Sequence, residues 1–108
     1  MDDAQGSASD AVLDDVRRLH DASSPQLEDV ERALTDGYAH VLQTEGERLR
    51  LREQLEERAA AIGSSPDQGE IGEITTLAQG IARADSEIEE LRAALDDLAA
   101  RARTLRVA

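Results

Sequence analysis

The amino-acid sequence predicts an all-α protein: an antiparallel coiled-coil helical hairpin of two long helices, preceded by a short helix. Three observations carry that expectation. Tyr38 is the one aromatic residue in a chain of 108, whereas strands are enriched in aromatic and β-branched residues. Ser-Ser-Pro occurs twice, at Ser23-Ser24-Pro25 and Ser64-Ser65-Pro66, each time placing a capping Ser before a Pro whose fixed φ and missing N–H suit the first turn of a helix. Finally, the segment after the second Pro repeats its apolar residues every seven positions, the period of a coiled-coil seam.

Residues 1–9 combine Asp, Ser, Gly and Ala with little to bury, so they read as a disordered acidic tail. Residues 10–21 carry Val12, Leu13, Val16 and Leu19 at helical spacing, with Ser9 or Asp10 available as the N-cap. This short amphipathic helix is too short to persist alone and must dock on something. The helical hairpin occupies residues 25–108, with its turn near 63–66. Gly63 is the residue type that closes a helix in a left-handed C-cap, and Pro66 prevents continuation. Ser65 and Gln68 have the spacing of a capping box for the second long helix.

With Ile74 at position a, the second segment reads Ile74, Ile81, Ile88, Leu95 and Ala102 at a, and Leu77, Ala84, Leu91, Leu98 and Leu105 at d. Every seam position is apolar, and a strict seven-residue repeat implies left-handed supercoiling. The first segment is less regular. With Leu27 at a, its seam includes Gly37, Thr44, Arg48 and Arg58, while Leu42 and Leu49 fall at b. That pattern reads as a defective seam on a helix whose apolar stripe is wide enough to face two neighbours. Either the short helix packs across the hairpin or two hairpins dimerise. A reversal at Gly63 to Ser65 pairs residues whose numbers add up to about 128. This register sets Glu45 beside Arg83, Tyr38 near Leu91 and Ala94, and Arg48 and Arg52 near Gly80 and Thr76.

The chain has 24 acids against 12 bases, all Arg, for a net charge of −12. A field of that sign disfavours phosphate backbones and anionic membranes, so neither nucleic acid nor membrane is an expected partner. With no Cys there is no thiolate nucleophile and no Cys-based zinc site. Asp36 and His40 are four apart on one helix face, but no further His or Cys completes a metal set, so no metal or other cofactor is expected. The acid pairs Glu56-Glu57, Glu89-Glu90 and Asp96-Asp97 lie off the seam, where nothing dries them into a general acid and base. No enzyme is expected. The acidic start, Met1-Asp2-Asp3, is unlike a secretory leader, and Ala59 to Ile62 is the longest apolar run. The expected location is the cytoplasm.

A hairpin of about this length resembles, in architecture alone, the type VII secretion substrates defined by a Trp-x-Gly turn. This chain contains no Trp, so the motif that would carry the family is missing.

The functional expectation is a non-catalytic protein–protein interaction module that associates with itself or with another protein, as a dimer or a four-helix bundle. Leu42 and Leu49 are its candidate contact residues. The chief alternative is an acidic regulator that sequesters a basic protein such as a transcription factor. Another is a sensor of small anions built on Arg48, Arg50 and Arg52, the densest basic stretch of the chain.

Overall fold

The computed structural model describes the backbone of residues 3–107 and the side chains of residues 9–107. Met1 and Asp2, part of the expected disordered tail, lie outside the described residues, as does Ala108. All regular secondary structure among the described residues is helical: α1 (Asp3–Asp21), α2 (Leu27–Ala61) and α3 (Gln68–Val107). The protein is all-α, as the aromatic-poor, heptad-patterned sequence predicts.

The helix ends depart from expectation in instructive ways. α1 starts at Asp3 and not at residue 10, so the backbone of residues 3–9 is helical rather than a disordered tail. Ala4, Gln5 and Ala8 are good helix formers, and extending a helix costs far less than nucleating one. α3 is capped at Asp67, not Ser65. The Asp67 carbonyl accepts the Ile71 N–H at 3.1 Å. The Glu70 N–H donates to Asp67 Oδ1 at 2.8 Å, and the Asp67 N–H donates to Glu70 Oε1 at 3.0 Å. This is a reciprocal capping box two residues later than the Ser65–Gln68 pair. Pro66 therefore precedes the cap, and Pro25 similarly precedes Gln26, whose carbonyl accepts the first N–H bond of α2, from Val30. Gly63 does not take the left-handed conformation. α2 ends at Ala61, and a last N–H bond runs from Ile62 to the Arg58 carbonyl.

The chain falls into two compact units. The first contains α1, α2 up to Leu42 and α3 from Glu89 onward. Within it α2 and α3 run antiparallel, since Gly37 meets Leu95 while Glu31 pairs with Arg106. α1 lies parallel to α3, because Arg17 is near Glu90 and the His20 carbonyl is near Arg101. Its core is Val16 and Leu19 from α1, Val30, Ala33 and Val41 from α2, and Leu91, Leu95, Leu98 and Ala102 from α3. α1 docks on the α2 and α3 segments of its own unit.

At Gly37, read from the sequence as a gap in the seam, α3 approaches α2 closely. A Cβ built there would lie 2.5 Å from Leu95 Cδ2, so a larger residue would force the buried Leu95 side chain to shift. Tyr38, expected to lie near Leu91 and Ala94, is 43 % exposed.

The second unit is Gln43–Ile88, the C-terminal part of α2 and the N-terminal part of α3. These also run antiparallel: Arg48 meets Asp85, Leu51 meets Gly80 and Arg58 meets Glu73. Every one of these partners lies about one helical turn further along α3 than the expected register. The later cap of α3 accounts for part of that shift. As a result Leu51, not Arg48, covers Gly80, and Arg83 makes no ion pair among the described residues, with Glu45 or any other acid. Thr44, Ala84 and Ile88 are buried. The remaining seam residues, Leu51, Leu55, Ile74, Leu77 and Ile81, are only half-buried, because two rods leave both flanks of a seam open.

Candidate interaction surfaces

On α2 the seam positions point at α3, so residues at b face away from it. Leu42, in the first unit, is 69 % exposed, and Leu49, in the second, is 58 % exposed. Nothing in its own unit covers either one. Ile71, near the start of α3, adds a third large apolar side chain at 45 % exposure. Single exposed leucines are ordinary, but on an amphipathic helix they mark the faces a further helix could cover.

The three arginines of the densest basic stretch are not gathered into one site. The Arg48 guanidinium donates to Asp85 at 2.9 Å, with 28 % of its side chain exposed. Arg52 is one turn away and exposed, and Arg50, two residues from each, projects from another side of the helix. Neither Arg50 nor Arg52 makes an ion pair among the described residues. Exposed ion pairs on the surface include Arg58–Glu73 at 2.6 Å and Arg32–Glu28 at 3.5 Å. Such pairs contribute at most about 1 kcal/mol each.

The second unit also has an open groove of about 700 Å³ between its two helices, lined by Gln54, Glu57, Gly72, Glu73, Thr76 and Leu77 among others. Its walls are helix surface with one internal ion pair, and no polar group is buried in it without a partner.

The two histidines have local roles. His40 is half-buried and its Nε2 lies 2.8 Å from Ser9 Oγ, which ties α1 to α2. His20 Nδ1 is 3.1 Å from Asp21 Oδ1 on an exposed surface. Among the described residues no three His, Cys, Asp or Glu side chains gather in a group that could hold a metal ion. No described helix is long and apolar enough to cross a membrane.

One functional side chain was legible only in part. Arg101 reads from the sequence as a cation complementing the C-terminal dipole of its own helix. In the structure its Nη1 donates to the His20 carbonyl at 2.7 Å and its Nη2 to the Ser23 carbonyl at 3.4 Å. It thus satisfies the C-terminal end of α1, which has no glycine cap. Arg106, from the same basic cluster, donates twice to Glu31 Oε2 on α2, at 2.9 and 3.2 Å.

No family model matches the chain, and no curated protein or solved structure matches it either.

Proposed function

We propose that this chain acts without catalysis as a coiled-coil protein–protein interaction module that associates with itself. The observation that carries the reading is the exposed apolar surface of α2, with Leu42 at 69 % and Leu49 at 58 % exposure. The two stand two turns apart on one helix. Burying each side chain fully in an interface is favourable by roughly 1.5–3 kcal/mol. The half-buried seam of the second unit supports the same reading, since its leucines and isoleucines gain further burial from any helix laid along them. The mechanism is helix-on-helix docking: apolar knobs supply affinity, and the acidic surface discourages wrong partners.

Light scattering tests this on the full chain and on the double variant Leu42→Glu, Leu49→Glu. Wild type should run as a dimer or larger, and the double variant as a monomer of 11.7 kDa. Leu42→Gln, Leu49→Gln should do the same, separating lost apolar contact from added charge. Identical species for wild type and both variants would end the proposal.

A further inference from the structure

We propose that α1 is a releasable strap, latched at its C-terminal end by Arg101 and able to lift off its unit while α2 and α3 stay paired. This goes beyond the self-association reading and does not depend on it.

Three features of the first unit carry the inference. First, the described side chains of α1 hold it at few points: Val16 and Leu19 are buried, Val12 and Leu13 are half-buried, and near its other end Ser9 Oγ lies 2.8 Å from His40 Nε2 on α2. Its ion pair to α3, Arg17–Glu90, spans 3.6 Å with both side chains more than half exposed, a geometry that contributes little. Second, the chain joins α1 to α2 through residues 22–26 alone, so α1 can swing away without disturbing any other connection. Third, one guanidinium secures both the end of α1 and that connection, through the His20 and Ser23 carbonyls. Its positive charge sits at the negative pole of the α1 dipole, where a cation is most stabilising. At the C-terminal end of α1 the latch is therefore one residue, 81 positions away in sequence from the carbonyl it holds.

What stays behind after release has a precedent in the same molecule. The second unit consists of α2 and α3 paired without a third helix, with Leu51, Leu55, Ile74, Leu77 and Ile81 of its seam half-buried. In the first unit the Gly37–Leu95 approach and the doubly bonded Arg106–Glu31 pair link α2 to α3 directly, with no part played by α1. Lifting α1 would leave the first unit as the second already stands, two helices paired without a third. Partial openings of this kind are cooperative units with their own free energies, below that of global unfolding.

Native-state hydrogen exchange on the full chain tests the strap. In wild type, α1 amides should exchange through an opening that leaves the amides of α2 and α3 protected. Arg101→Gln should speed α1 exchange about fivefold to tenfold, the size expected for losing a charged hydrogen bond at a helix end. Amides in the middle of α2 and α3 should keep their wild-type rates. Val16→Ala should reproduce the pattern from the apolar side of the contact. The proposal is overturned if Arg101→Gln leaves α1 rates unchanged, if all three helices lose protection together, or if that variant fails to fold.

Discussion

The two units are built from the same pair of helices and the same heptad pattern, yet they bury their seams to different depths. In the first, Leu95, Leu98 and Val30 are fully buried. In the second, Leu51, Leu55, Leu77 and Ile81, equivalent seam residues, stay half-buried. Composition does not explain the contrast, because the a and d positions of α3 are apolar along its whole length. The first unit has a third helix and the second does not. A seam between two rods is shielded on one side of each residue at best, and α1 supplies the missing side with only Val16 and Leu19 buried deeply. Thr44, Ala84 and Ile88 are nonetheless buried in the second unit, so a third helix adds to the burial of the largest seam residues, while the heptad decides which residues face inward.

The largest expected effect follows directly. Leu98→Ala removes a fully buried side chain and should cost about 3–5 kcal/mol, in the range for a large-to-small change in a closed core. Leu55→Ala, at a half-buried seam position, should cost about half as much, since much of its surface is already wet. Urea unfolding of the two variants measures the difference. Equal costs, with midpoints that rise with protein concentration, would mean that a second chain closes the open seam in solution. Equal costs without concentration dependence would break the comparison.

Glycine substitutions sharpen it with opposite signs. Gly37→Ala would drive a methyl to 2.5 Å from Leu95 Cδ2, and Leu95 is fully buried with no room to retreat. Overpacking of this kind costs typically about 1–3 kcal/mol, which outweighs the better helix propensity of Ala. In the second unit a Cβ at Gly72 meets nothing within 4 Å. Gly72→Ala should therefore stabilise by about 0.5–1 kcal/mol through backbone entropy alone. Thermal melts of both variants read the signs, and a stabilising Gly37→Ala would show that the α2–α3 approach is looser than its geometry.

Much of this was legible in the sequence. The heptad of the second segment named Leu91, Leu95, Leu98 and Ala102 as inward-facing, and the spacing of Val16 and Leu19 marked the buried face of α1; all six are buried. Periodicity reports which way a side chain points, and that is local information. What it missed depends on a partner element. Gly37 looked like a hole because an inventory of apolar residues cannot distinguish a gap from a socket, and only the position of Leu95 makes it a socket. Thr44 looked like a defect for the same reason, and it is buried at 5 % exposure. The latch made by Arg101 is out of reach of local pattern, because the His20 and Ser23 carbonyls it binds lie at the far end of the chain. The register shifted by a turn because pairing across a hairpin depends on where the second helix starts, and two overlapping cap motifs compete there.

That competition is the smallest effect to test. Ser65-Pro66-Asp67-Gln68 and Asp67-Gln68-Gly69-Glu70 both have the residue types of a capping box at the right spacing. One feature favours the second: Asp67 and Glu70 carry full negative charge at the positive pole of α3, while Ser and Gln carry none. Asp67→Ala should then cost about 1 kcal/mol, whereas Ser65→Ala should leave stability within about 0.3 kcal/mol of wild type, as expected for a surface residue outside the helix. Because the cap is carboxylate-based, raising salt should shrink the Asp67→Ala penalty. A comparable loss from Ser65→Ala would place the start of α3 two residues earlier and restore the register first expected for the second unit.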